Sequence, residues 1–243
     1  MNHFRLPFIF IILILSNILF IHNAQAQSVQ VGITGGVNMS SHLKDFWLKN
    51  NDGTDIRLNP KITTGFQTGF LARKDFSQVL RLQTEPSLIL LGARYQESFQ
   101  SGNLQFHTKS RTKLLYVQLP LVLQISTIPK RRTVYGEPFA TTTVHLTGGV
   151  FGGYLLDANF DGKNTNATDN FTFQGSFSED VTSRYTDYDG GVIFGGGIEY
   201  GNKGKVGFET RAIFSVFDTG NSSDQYWFHP QNMAITFSLY FIL

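Results

Sequence analysis

Eight stretches of the chain alternate apolar with polar or small residues at a period of two. The clearest is the last, where Met233, Ile235, Phe237, Leu239, Phe241 and Leu243 fall on one face and Asn232, Ala234, Thr236, Ser238, Tyr240 and Ile242 on the other. Successive side chains of a strand point to opposite sides, so this pattern predicts a strand with one apolar face. Residues 29–39, 62–73, 80–90, 115–125, 144–156, 192–200 and 206–217 repeat it. Pro86 and Pro120 sit inside two of these runs, where each removes a ladder hydrogen bond. No Lys, Arg, Asp or Glu stands on the apolar parity of any run, whereas Arg73, Arg81, Glu85, Glu199, Glu209 and Arg211 stand on the opposite one.

Alternation alone fits two architectures. A soluble lipocalin-like barrel buries its apolar parity, and a membrane barrel turns that parity to lipid. Connection lengths favour the second. Those after the first, third, fifth and seventh runs are long (about 40–61, 91–114, 157–191 and 218–232), while 74–77 and 201–204 are short turns; only 126–143, after the fourth, is longer than expected. Long loops at one end and short turns at the other mark an outer-membrane barrel with extracellular loops and periplasmic turns. The expected fold is all-β, an eight-stranded antiparallel transmembrane up-and-down barrel closed by a single chain as a monomer.

The amino terminus adds the route of export. Residues 1–26 read as a secretory leader, with Arg5, an apolar stretch from Leu6 to Ile21, and Ala24-Gln25-Ala26 as a small-x-small cleavage site. Cleavage after Ala26 leaves one barrel domain, 27–243. An uncleaved anchor is the weaker reading, because Pro7, Ser16 and Asn17 interrupt a stretch short of the roughly 20 residues a spanning helix needs. Loss of Arg5 lowers the formal charge of +2 by one, too even a balance to suggest nucleic acid as a partner. Cysteine is absent, which removes thiolate chemistry and Cys-ligated metals.

Several short motifs occur in a set order. They are Val31-Gly-Ile-Thr-Gly-Gly-Val-Asn38, Gly65-Phe-Gln-Thr-Gly69, Leu82-Gln-Thr-Glu85, Leu115-Tyr-Val-Gln-Leu-Pro-Leu121, Gly148-Gly-Val-Phe-Gly-Gly-Tyr154, Gly195-Gly-Gly-Ile-Glu-Tyr200 and Gly207-Phe-Glu-Thr-Arg211. In this order and spacing the chain resembles the PorT-like outer-membrane β-barrel proteins of Bacteroidetes-type bacteria. The resemblance spans essentially the whole mature chain. It implies an eight-stranded barrel in a family whose members mostly lack a defined activity, some of them linked to type IX secretion and gliding. The sequence departs from the family at Gln118, where Glu is common before Leu-Pro, and at Leu243, where an aromatic usually ends the insertion signal.

Candidate chemistry is sparse. His42, His107, His145 and His229 lack ligand spacing, and three of them fall in expected loops, so solvated histidines are preferred over a metal site or a lipid acyltransferase. Glu85 and Glu209, with Arg211, could suggest paired carboxylates for acid and base work, but a narrow barrel filled by its own side chains needs its buried charges paired, and that reading is preferred. The expected interior cluster is Arg81, Glu85, Glu209 and Arg211 on outward-running strands, met by Gln67 and Gln118 from inward-running ones. No catalytic, cofactor or metal residue is assigned. Lys130-Arg131-Arg132 is a basic turn, and Asn166-Ala-Thr168 and Asn170-Phe-Thr172 match a glycosylation pattern of little meaning in a bacterial protein. Expected partners are outer-membrane lipid, the insertion machinery reading the segment from Met233 to Leu243, and envelope proteins. The expected role is a non-enzymatic interaction or assembly component acting through extracellular loops; the alternatives are a small lipid-modifying enzyme and a soluble ligand-binding barrel.

Overall fold

The computed structural model describes residues 29–44, 46–49, 55–101, 104–128, 133–134, 137–138, 141–167, 172–202, 204–221, 226–227 and 229–243. The leader assigned to 1–26 and the basic turn at Lys130-Arg131-Arg132 lie outside them, as do parts of both glycosylation patterns. The barrel strands are β1 (Gln30–His42), β2 (Thr63–Asp75), β3 in two halves, β3a (Leu80–Thr84) and β3b (Ser87–Ser101), β4 (Leu104–Ser126), β5 (Thr141–Ala167), β6 (Tyr188–Gly201), β7 (Lys205–Ser215) and β8 (Asn232–Ile242). Each pairs antiparallel with its neighbour in the chain, and β8 pairs with β1 from Gly32 opposite Ile242 to His42 opposite Asn232. The ring of hydrogen bonds is therefore closed, which is what a sheet surrounded by lipid requires.

Counting β3 as one strand, which gives eight, follows from its register. Thr84 faces Leu121 and Ser87 faces Gln118 on β4, while Ala72 faces Thr84 and Gly69 faces Ser87 on β2. Both halves keep the same alignment with both neighbours. The break at Glu85-Pro86 thus lies against Leu119-Pro120 of β4. The two prolines place their missing N–H groups at one level, so the ladder is weakened once rather than twice. Their carbonyls still accept: Phe70 N donates to Pro86 O at 3.1 Å and Thr84 Oγ1 to Pro120 O at 2.7 Å.

The parity read from the sequence places the side chains. Ile33, Phe70, Leu121, Leu146, Phe194 and Leu239 are exposed on the outside, and Thr34, Leu71, Val122, His145, Ile193 and Tyr240 beside them are buried in the lumen. A continuous apolar exterior with a polar interior reverses the arrangement of a soluble barrel. No described helix is long and apolar enough to cross a membrane. At one end the strands join through tight turns, such as Gly201 with φ of 140° between β6 and β7, a conformation glycine adopts without strain.

The other end corrects an expectation. Residues 91–114 and 157–191 are not mainly loops. β3b and β4 stay paired up to Ser101 opposite Leu104, β4 and β5 up to Gln105 opposite Ala167, and a further strand, Thr172–Asp180, pairs with the end of β5. The apolar stripe that marks a lipid-facing strand stops near Leu90 and Leu115, but the backbone ladder continues beyond it. A bulge between Leu155 and Asp157 shifts the parity of β5, so that Ala158 and Phe160 turn inward. The result is a four-stranded wall projecting past the apolar belt. The chain then makes a 3-10 turn, Thr182–Arg184, and sends Val181 and Tyr185 into the outer mouth, where they bury against Leu91, Leu114, Tyr116 and Phe151.

Candidate functional site

Charged side chains on the lumen face of β2, β3, β6 and β7 meet in the half of the barrel nearest the short turns. Glu199 on β6 is the hub. Arg73 of β2 bonds to its Oε2, Arg81 of β3a to its Oε1 at 3.1 Å, and Lys205 Nζ approaches Oε1 at 3.4 Å. Tyr240 of β8 donates its hydroxyl to Oε2 at 3.0 Å and lies beneath the Arg73 guanidinium, 5.4 Å from its carbon. Gly207 permits that pose, since a Cβ there would come within 2.0 Å of the Tyr240 ring.

A second hub is Arg211 on β7. It binds Glu85 with both terminal nitrogens, Nη1 to Oε2 at 3.0 Å, and reaches Glu209 Oε2 at 2.8 Å. Thr147 donates to the other Glu209 oxygen at 2.6 Å, and His145 Nε2 lies 3.8 Å from Glu209. Gln83 joins the two hubs, accepting from Arg73 Nε at 2.8 Å and donating to Glu85. All of these except Lys205 have near-zero exposure, 5% or less. Such pairing is what a buried ion requires, since an unpaired one loses its hydration without return.

Of the residues expected to meet, Glu85, Glu209 and Arg211 do so directly. Arg81 does not join them; it pairs with Glu199 and Asp75. Gln67 donates instead to Ser238, and no hydrogen bond among the described residues links Gln118 to either hub, although both glutamines are buried. Parity identifies which side chains point inward but not their heights around a sheared barrel, and height decides partners. Arg73 and Glu199, which the expected cluster leaves out, carry the same parity signal as the named residues.

Nearer the outer mouth the lumen holds a third group. Asp189 accepts from Ser215 at 2.8 Å and from Asn232 at 2.9 Å, and Asn232 also donates to the Tyr116 hydroxyl at 3.3 Å. Histidines placed in loops by the sequence are partly elsewhere. His42 is buried at the end of β1 with Nδ1 2.8 Å from the Tyr95 hydroxyl, and His107 lies on β4 with Nδ1 2.7 Å from Ser98 Oγ. No carboxylate touches His107 among the described residues, so the Ser–His pair lacks the orienting acid of a hydrolytic triad. No group of three or more His, Asp or Glu side chains with metal-site geometry occurs among the described residues. On the projecting wall, Lys113 and Ser178 donate to Asp161 and hold its carboxyl below the usual range, and two bonds from Thr182 do the same for Asp180.

A closed ring of strands, an apolar outside and paired ions within are thus set together. The model of the outer membrane protein beta-barrel domain family matches residues 23–221. The chain belongs to this family. It is an outer-membrane β-barrel protein, surrounded by the lipid of that membrane. Among solved structures it is similar to the attachment invasion locus protein Ail of Yersinia pestis, at 11% identity over 89% of this chain and 99% of that one, with a TM-score of 0.28. Ail in complex with the heparin analogue sucrose octasulfate gives 12% identity over the same shares and a TM-score of 0.30. Neisserial surface protein A gives 7% identity over 86% and 95% of the two chains, with a TM-score of 0.29. No curated protein sequence matches.

Proposed function

We propose that this outer-membrane β-barrel is a non-enzymatic interaction or assembly component of the cell envelope, working through its extracellular side, and that it belongs with the PorT-like proteins tied to type IX secretion or gliding. The observation that carries this reading is where the ordered structure is spent. Strands β3b, β4 and β5 continue far past the apolar belt as a sheet, while the lumen is packed with ion pairs and apolar side chains. A protein built to move solutes would keep its lumen open, and one built to present a surface would extend its wall. In this reading the interior network, including Arg81, Glu85, Glu209 and Arg211 with Gln67 and Gln118 beside it, is a structural plug. The leader is cleaved after Ala26, and the segment from Met233 to Leu243 is read by the insertion machinery.

The Ser98–His107 pair supports a second reading, a lipid-modifying enzyme of the outer leaflet. A deletion strain separates the two. Complementation by a barrel shortened at the tip of the wall, with residues 97–108 replaced by a tight turn, should fail to restore the secreted-protein profile or gliding while lipid composition stays constant. A changed lipid profile restored by wild type and not by His107→Ala would instead establish the enzyme.

A further inference from the structure

On the projecting wall, residues that continue the lipid-facing parity of β3b, β4 and β5 are charged in an unusual way. Arg94 stands directly opposite Arg111, and Lys109 directly opposite Lys163. Like charges facing one another across a ladder destabilise it unless something neutralises them. The chain supplies little charge in return: Arg94 donates to Ile62 O at 3.2 Å and Arg111 to Thr64 O, which are neutral backbone carbonyls. Asp161, opposite Arg111, is already held by Lys113 and Ser178; Asp157 accepts from Asn159, and Asp180 is capped by Thr182. Lys109 and Lys163 have Gln96 and Ser176 as their remaining row neighbours, and no described carboxylate is paired with either. The inner face of the same strands carries Ala93, Tyr95, Ser110, Thr112 and Phe160, so the basic groups are segregated to the outside.

Position says which anion fits. The last apolar side chains on this face are Leu90 and Leu115; Lys113 lies two residues past Leu115, Arg111 four and Lys109 six. At roughly 3.3 Å per residue and a strand tilt near 40°, these cations sit about 5, 10 and 15 Å above the apolar edge. The headgroup layer is about 5 to 8 Å deep, so Lys113 lies within it and Arg111 and Lys109 above it, at the height of the sugars and phosphates of a large glycolipid headgroup, toward which long cationic side chains reach down. Around Lys109 and Lys163 the wall forms a hollow of about 720 Å³ lined also by Gln96, Ser98, His107 and Gln174, which are donors and acceptors for sugar hydroxyls.

We infer that the outward basic face of the wall, centred on Lys109 and Lys163 with Arg94 and Arg111 below, binds the phosphate groups of a glycolipid anchored in the outer leaflet. The site continues the lipid interface of the barrel upward and matches it in charge. Its centre, Lys109 and Lys163, lies just below the tip segment 97–108, with which the hollow shares Ser98 and His107.

The test uses refolded full barrel in detergent, with bound lipid counted by native mass spectrometry. The probes are diphosphorylated lipid A, the same lipid with its phosphates removed, and the water-soluble phosphorylated headgroup without acyl chains. Wild type should retain the diphosphorylated lipid in preference to the dephosphorylated one. Lys109→Gln with Lys163→Gln should weaken retention by about five-fold for each charge removed. Lys44→Gln, at a distant surface ion pair, should change nothing. Equal retention by wild type and the double variant, or of the two lipids, would overturn the site. Equally tight binding of the chain-free headgroup would overturn its assignment to a membrane-anchored ligand.

Discussion

The two halves of the lumen solve the same filling problem with opposite chemistry. Toward the short turns it is filled by Arg73, Arg81, Glu85, Glu199, Glu209 and Arg211; toward the outer mouth, by Ile89, Leu91, Leu114, Tyr116, Phe151 and Tyr185. In the charged half every member depends on a named partner, and loss of one strands the others. In the other half, apart from the Asp189, Ser215 and Asn232 group, the side chains contribute through area and fit, so loss is local and scales with the cavity left behind. The difference teaches that buried charge specifies which strands meet, while the apolar plug seals the mouth.

Glu199→Ala should produce the largest effect, because it leaves Arg73, Arg81 and Lys205 without their shared carboxylate. A loss of about 3 to 5 kcal/mol in urea-unfolding stability in vesicles is expected. Since Arg211 is shared between Glu85 and Glu209, the compensated replacement must take all three residues: Glu85→Leu, Glu209→Leu and Arg211→Leu together should cost less than Glu209→Ala alone. If the triple variant is the worse of the two, the network is not a mutually dependent unit.

Leu114→Ala, in the apolar half, should lose about 2 to 5 kcal/mol by opening a cavity. Its cost should not change with salt or with any charge substitution in the other half, and strong coupling in a double-mutant cycle would dissolve the distinction between the halves. On the lipid face of β4, Leu119→Arg should lose about 2 to 4 kcal/mol near the bilayer midplane. Insertion of that variant as stable as wild type would mean that the exposed parity does not face lipid.

The smallest effect lies beyond the membrane. Asp161 and Asp180 have carboxyls held below their ordinary range by hydrogen bonds, so their contribution is present above the unfolded value, near 3.9, and fades as pH falls through the lower folded one. Hydrogen exchange of residues 157–180, corrected for its intrinsic pH dependence, should rise below about pH 4 while β6 to β8 stay protected. Simultaneous loss of protection would tie the wall to the barrel.

The barrel was legible because a period of two, kept free of charge on one parity across eight runs, has few physical explanations. Partners inside were less so. Arg81 and Arg211 share parity yet belong to different hubs, because the heights of β3a and β7 depend on the shear of a closed sheet and no local pattern reports it. Alternation alone makes the wall read as loops, because Arg94 to Ser98 and His107 to Arg111 put polar residues on the face that marks a strand in lipid. Outside lipid that face meets water, and the inward Tyr95 and Phe160 were the remaining trace of strand.

Central to the whole account is that the paired ions and the apolar mouth close the lumen. Planar-bilayer recording of pure wild-type protein tests this most directly. No stable single-channel current should appear, and Glu199→Ala with Arg73→Ala should be the variant that begins to leak. Stable unitary currents from wild type would contradict the account and make conduction the function to explain.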